Sequence, residues 1–421
     1  MNKKLILNTV KSEIVDVTDA DMVALCLSTN VDTDAVMVKK EGDAVKAGEV
    51  IAKCSDDLLS VSLHAPINGK VSEVNINTSK LKKQVSYVAI KKDSSKSKLV
   101  TLPKLNSLDR CEIKKRIQQA GIVGCGGAGY PAYAKIKADV TYTSLIINAC
   151  VSDYLTCADL AVLYHNFNDV LKGITLLKDS LDIKKAYIVV NKFCKQLLNE
   201  DIEKAKEFGV DFYFMPNRYG QGDEKIICKR LFGYNKEDGF PAYAGMLVYN
   251  AQTVYQIKRS VYDGENVTSR VITICGKLVN EAKNYRVLIG ANVEDIITKQ
   301  SILKCSYKEY EEREKATVER FLHLQELRKQ LPDKKQDKEF LSKFVEERKD
   351  TNSIIFNFLK YEKINKMFVS CALLVGGRRY GKIYDGNVLN IQKNTYCIEY
   401  LNEKQFNKLN KKFKNNFKNI K

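Results

Sequence analysis

The sequence predicts an α+β chain of several domains: a small β-sandwich, a Rossmann-like α/β unit with a mainly parallel sheet, and a β-rich unit with a helical insertion. Three observations predict this. Between Asp34 and Ala89, valine and isoleucine alternate around glycine turns. From Leu108 to Ile257, short apolar runs alternate with helical stretches. From Val271 the β pattern returns, interrupted by a charged segment, Tyr307 to Leu359, with leucine and phenylalanine at helical spacing. The 421 residues accommodate about three such units.

The first region, 1–100, carries Val36-Met37-Val38, a turn at Glu41-Gly42-Asp43, the run Val45 to Ala52, and His64 to Val71. This resembles the barrel-sandwich module of biotin and lipoyl carriers. Those carriers present a modifiable lysine at a hairpin tip, whereas Lys70 follows the turn glycine inside the strand. A docking module without a carrier lysine is expected. Residues 91–108 are rich in lysine and serine, contain Pro103, and read as a linker.

The second region, 108–265, opens with a polar helix from Leu108 to Gln119. A loop follows with glycine at 121, 124, 126, 127 and 129 and a single thiol, Cys125. Such a backbone can lay successive N–H groups against a phosphate. Gly124, Gly126 and Gly129 match G-x-G-x-x-G, but the order is helix, loop, then the strand Thr143 to Ala149, and Pro131 follows the glycines. A dinucleotide fingerprint needs the strand first, so the loop is expected to be another kind of phosphate cradle. Further strands are expected at Leu145–Ile147, Ala186–Val190 and Val210–Met215, with helices over Ala158–Leu177 and Lys195–Glu207.

The third region, 266–400, has strands at Val271–Gly276, Tyr285–Ile289 and Met367–Val375, a turn at Gly376-Gly377, and the helical insertion at about 305–362. A basic tail, 401–421, closes the chain.

The formal charge is +18, but the basic residues are interspersed with acidic ones, which argues against a nucleic-acid partner. The local excess, Lys404 to Lys421, is a solvated end or a docking element for an acidic partner or a membrane surface. No apolar run is long enough to span a bilayer, and the N-terminus lacks a secretory core, so a cytoplasmic protein is expected. Twelve cysteines include no C-x-x-C pair, which argues against a structural zinc site or an iron–sulfur cluster motif. The three histidines are scattered.

Taken in order, these motifs resemble the RnfC-like family, relatives of the complex I flavoprotein subunit. The family's "GIVGxGGAGFPTxxKL" loop is similar to Gly121–Ile136, and "LIINxAECEPYLT" to Leu145–Thr156. "YPxGxEKxLIxxLTG" is similar to Tyr219–Gly233, "NVGTxxAI" to Asn250–Ile257, "GPAxxPGNYRVxIGT" to Gly276–Ala291, and "GGPMMGK" to Gly376–Lys382. The resemblance implies an N-terminal barrel-sandwich domain, an FMN-binding α/β domain, and an SLBB β-grasp domain carrying the insertion. It implies FMN held by Gly124, Gly126, Gly127, Gly129 and Lys135, with Asn250 and Thr253 near the phosphate. It also implies NADH in a cleft lined by Tyr219 and Gly222, with Glu224 meeting the nicotinamide.

The loop cysteine is similar to the subgroup that serves D-proline reductase. That implies an electron-transfer role toward a partner reductase or complex, with Cys125 as the redox thiol. Loop N–H groups and Lys135 are expected to lower the Cys125 pKa, and Cys150 or Cys157 to approach it or simply pack. By itself, Glu224 at a helix start would pair with Lys225 or Lys229. The chain also departs from the family: the two glutamates of "AECEPY" are missing, with Asp153 nearby, and the paired cluster motifs of full-length RnfC are not in this sequence. A non-catalytic scaffold of the same fold is therefore the alternative expectation.

Overall fold

The computed structural model describes residues 2–27, 35–54, 59–78, 84–94, 98–152, 155–235, 239–276, 279–303, 371–375, 382–383 and 397–402. The expected insertion at 305–362, the Gly376-Gly377 turn, Asp153 and the tail beyond Asn402 lie outside the described residues.

Helix α1 (Lys3–Lys11) is capped by the Asn2 side chain, which accepts from the Leu5 N–H at 3.3 Å, and it buries Ile6, Thr9 and Val10. Strand β1 (Val15–Val17) follows. The next strands are β2 (Met22–Cys26), β3 (Val36–Met37), β4 (Ala44–Val45), β5 (Val50–Lys53), β6 (Leu63–His64), β7 (Gly69–Thr78) and β8 (Gln84–Lys92). They form two antiparallel sheets, ordered β2-β8-β7-β4 and β3-β5-β6. Val23, Leu25, Ile51, Leu63, Val71 and Ile90 fill the space between them. Lys70 sits within β7, opposite Ala44.

The middle of the chain comprises α2 (Arg110–Gln119), β9 (Ser144–Asn148), α3 (Ala158–His165), α4 (Phe167–Leu181), β10 (Lys185–Asn191), α5 (Asn199–Glu207), β11 (Val210–Met215), α6 (Glu224–Phe232), β12 (Met246–Asn250) and α7 (Ala251–Tyr262). The sheet runs β11-β10-β9-β12 and every pairing is parallel. Its central strand shows why the sequence reads as a continuous apolar run. Leu145 and Ile147 pack into the large core on one face, and Ile146 packs with Val189 and Val248 on the other. The helix expected over Ala158–Leu177 is two helices, because Asn166 (φ −127°, ψ 35°) leaves helical geometry between them. The helix expected from Lys195 begins at Asn199, after a 3-10 turn.

The last elements are β13 (Ser269–Gly276), β14 (Lys283–Leu288), α8 (Val293–Lys299), β15 (Cys371–Val375), β16 (Lys382–Ile383) and β17 (Cys397–Asn402). They form a six-stranded mixed sheet, β1-β14-β13-β17-β15-β16. Strand β1 comes from the first region and pairs in parallel with β14, Val15 opposite Tyr285.

The stretch expected to be a linker is a strap. The Val100 N–H donates to the Ala47 carbonyl (2.7 Å) and the Leu102 N–H to the Gly264 carbonyl (2.7 Å). Buried Arg116 on α2 donates to the carbonyls of Pro103 and Ser260. The β-sandwich also meets the end of α2 directly: the Ser62 N–H donates to the Gln118 carbonyl (3.2 Å), and Gln118 Nε2 to the Ser60 carbonyl (3.4 Å). The glycine loop starts at the next turn of chain, so its base is braced from two sides.

Candidate cofactor site

The glycine loop is a short hairpin. Val123 bridges to Pro131, the Gly124 N–H donates to the Tyr130 carbonyl (2.7 Å), and the Ala132 N–H to the Ile122 carbonyl (3.1 Å). At the tip the Gly129 N–H donates to the Gly126 carbonyl (3.2 Å), with Gly129 at φ +64°, where a side chain would be strained. Three groups from other elements clamp the hairpin. Thr253 Oγ1 accepts from the Cys125 N–H (3.0 Å), Asn250 Oδ1 accepts from the Gly126 N–H (3.2 Å), and Arg270 donates to the Cys125 carbonyl (2.9 Å). Asn250 is itself held, because its Nδ2 donates to Asp159 Oδ2 (3.0 Å) while Asp159 Oδ1 accepts from the Gln252 N–H (2.9 Å). Thus the amides of Gly124, Cys125, Gly126, Gly129 and Ala132 all donate within the protein. Among the described residues, the amides of Gly127 and Ala128 have no hydrogen-bond partner. They are donors of the loop that remain available for a hydrogen bond.

Lys135 ends a 3-10 turn that two tyrosines pin. Tyr142 donates its hydroxyl to the Lys135 carbonyl and buried Tyr249 donates to the Ala132 carbonyl, each at 2.6 Å. The ammonium of Lys135, whose side chain is 12% exposed, donates to Glu224 Oε2 (2.7 Å) and to the Val248 carbonyl (2.9 Å). Glu224 opens α6, which Asp223 caps. Its ion pair is therefore with Lys135 rather than with Lys225 or Lys229. Glu224 Oε1 and Gln221 Oε1 are buried acceptors without a hydrogen-bond partner among the described residues. They are suited to take N–H or O–H donors.

Tyr219 is 42% exposed. Gly222 is there for close packing. A Cβ on it would lie 2.5 Å from Ser152 Oγ and 3.0 Å from the Cys150 Cβ. Its N–H donates to Ser152 Oγ (2.7 Å), and its carbonyl accepts from Asn148 Nδ2 (2.8 Å).

The thiol does not follow expectation. Cys125 is 2% exposed, and burial raises its pKa to about 11; Arg270 lowers it only in part. Its Sγ faces Gln256 Oε1 (3.5 Å) and the Val123 carbonyl (3.8 Å). Lys135, expected to acidify it, is committed to Glu224. Helix α7 and strand β13 cover the loop from behind, so desolvation outweighs the loop dipoles. Cys150 and Cys157 direct their sulfurs elsewhere, to the Val189 carbonyl and to Thr273 and Asn284. Both thiols are raised by burial.

The structure therefore brings Gly124, Gly126, Gly127, Gly129, Asn250 and Thr253 to one point, and pairs Lys135 with Glu224. Asn148, Asn191, Met215 and Asn250 end the four parallel strands, so the site lies outside their carboxyl ends, where open α/β sheets bind ligands. Sequence reasoning missed Asp159, Arg270, Gln221 and Ser152. Arg270 left a signal, a lone guanidinium within an apolar strand. Asp159 left another, a carboxylate in the first turn of α3 directly after the Leu145–Thr156 motif.

Fold and site together define a mixed α/β multidomain protein with a glycine cradle at the carboxyl edge of a parallel sheet. Residues 3–95 match the RnfC barrel sandwich hybrid domain and residues 117–259 match the Nuo51 FMN-binding domain, so these two regions of the chain resemble the RnfC family. A component of the ion-translocating oxidoreductase complex of Rhodobacter capsulatus is 28% identical over 286 residues, 66% of this chain and 55% of that protein. A component of the proton-translocating ferredoxin:NAD(+) oxidoreductase complex of Clostridium ljungdahlii is 30% identical over 62% of this chain and 58% of that protein. The matches thus span a little over half the length of these relatives. A solved NAD+-reducing [NiFe]-hydrogenase is similar over 45% of this chain and 39% of that one, at 21% identity and a TM-score of 0.41. No helix among the described residues is long and apolar enough to cross a membrane.

Proposed function

We propose that this chain is an FMN-carrying electron-transfer protein that takes reducing equivalents from NADH or another donor and passes them to a partner reductase. The observation that carries the reading is the cradle itself. Two amides without a hydrogen-bond partner among the described residues, those of Gly127 and Ala128, lie in a clamped glycine hairpin, in a region that matches the Nuo51 FMN-binding domain. FMN, when bound, supplies the change from hydride to single-electron transfer. The chain's own residues would bind and orient it. The Gly127 and Ala128 amides would hold the phosphate, and the Lys135 ammonium would approach it on release from Glu224. The freed Glu224 carboxylate and Gln221 Oε1 would accept from a carboxamide or ribose hydroxyls, with Tyr219 at the rim. The third region reads as an SLBB β-grasp domain. D-proline reductase is the partner suggested by the cysteine at position 125.

The test is anaerobic purification followed by absorption spectroscopy and FMN titration. A flavin spectrum, or uptake of one equivalent of added FMN, is expected; a colourless chain that takes up none overturns the flavin reading. The closed Lys135–Glu224 pair favours a second reading, a scaffold protein without cofactor. Co-purification of a stable partner together with failure to take up FMN would select it.

A further inference from the structure

We propose that Asp159 is the positioning residue of the glycine loop, fixing the hydrogen-bond order that runs from α7 through Asn250 to Gly126. The chemistry forces the order. An ionised carboxylate has only acceptors. One Asp159 oxygen takes the Gln252 N–H at 2.9 Å, and the other takes an Asn250 donor at 3.0 Å. Asn250 must then present Nδ2 to Asp159, which leaves Oδ1 for the Gly126 N–H at 3.2 Å. An amide side chain alone has no such preference, since its two ends are nearly isosteric. Asp159 touches no loop atom in this chain of bonds; it acts through Asn250.

The surroundings support the assignment. Asp159 is partly buried in the first turn of α3, where the charge of Arg270 on β13 acts on it. Arg270 also donates to the Cys125 carbonyl, one residue before Gly126. The carboxylate, through Asn250, and the guanidinium thus brace opposite ends of the same peptide, and Gly127 and Ala128 follow it directly in the chain.

The test is a polarity swap read by hydrogen exchange at Gly126 in the ligand-free chain. In Asp159→Asn the amide of residue 159 keeps its oxygen on the Gln252 N–H and turns its NH2 toward Asn250. Asn250 must then turn its oxygen toward residue 159, leaving its own NH2 against the Gly126 N–H, donor to donor. Exchange at Gly126 is expected to rise about tenfold, the loss of one hydrogen bond. In the double variant Asp159→Asn, Asn250→Asp, every donor again meets an acceptor and one carboxylate stays in the cluster. Exchange is expected to return to within about threefold of native. Unchanged exchange in the single variant, or a double variant that exchanges as fast as the single, overturns the proposal. If the single variant does not fold, recovery of a folded double variant supports it and failure of both overturns it. FMN titration of native chain and Asp159→Asn, expected to show about tenfold weaker binding, rests on the flavin reading. A native chain that takes up no FMN refutes that reading alone, because the exchange result needs no ligand.

Discussion

Lowering the pH from 7 to 5 should stabilise the folded chain through Asp159. Loss of hydration raises its carboxyl from the ordinary 3.8 to about 6, against the opposing pull of the Gln252 N–H, Arg270 and Asn250. In the unfolded chain the same carboxyl ionises near 3.8. Between those values the folded state therefore holds a proton that the unfolded state has lost, so stability falls as pH rises through the window and returns as pH drops. The two values give about 1.3 kcal/mol gained between pH 7 and pH 5, and about 3 kcal/mol in full below both. Asp201, also raised to about 6 by burial and then by Glu200, adds in the same direction. The measurement is therefore a difference: denaturant unfolding of native chain and Asp159→Asn at each pH. Native stability minus variant stability should grow by about 1.3 kcal/mol from pH 7 to pH 5. A flat difference, or one of opposite sign, refutes the burial argument.

Thiol labelling should reach exposed Cys111 well before Cys125, because at pH 8 a thiol raised to about 11 is about one part in a thousand thiolate; faster modification of Cys125 would contradict its buried setting. Gly222→Ala should cost about 1–3 kcal/mol in thermal unfolding, the cost of overpacking against Ser152 Oγ. Adding Ser152→Ala should recover part of that loss, and strictly additive costs would exclude the contact. Lys135→Met should destabilise by about 1–3 kcal/mol by leaving Glu224 without its cation. Combining it with Glu224→Gln should restore most of the stability in a double-mutant cycle, and zero coupling would place the two side chains apart in solution.

Much of the fold is legible locally. Leu145-Ile146-Ile147 reads as a strand because both faces of a parallel sheet are covered, and the helix–loop–strand order around Gly124 rules out the usual dinucleotide turn. The sites of long-range pairing were not legible. Asn250 finds Asp159 across 91 residues and Arg270 finds the Cys125 carbonyl across 145, and no periodicity encodes such meetings. Cys125 shows the cost. Five nearby glycines suggest an open loop, yet burial is decided by what packs behind it, here Thr253, Gln256 and Arg270.

The strand β1 sets a schedule for synthesis. Val15 waits for Tyr285 before it has a partner, and β13 waits for Cys397 and its neighbours. The β-sandwich, built from pairings within the first 92 residues, can form while the ribosome is still making the glycine loop. The six-stranded sheet can close only when β17 has emerged. Pairings of such high sequence separation are slow to form, so the chain's first strand is also among the last to be locked, and a nascent chain stalled before β17 would expose the β13 edge to aggregation.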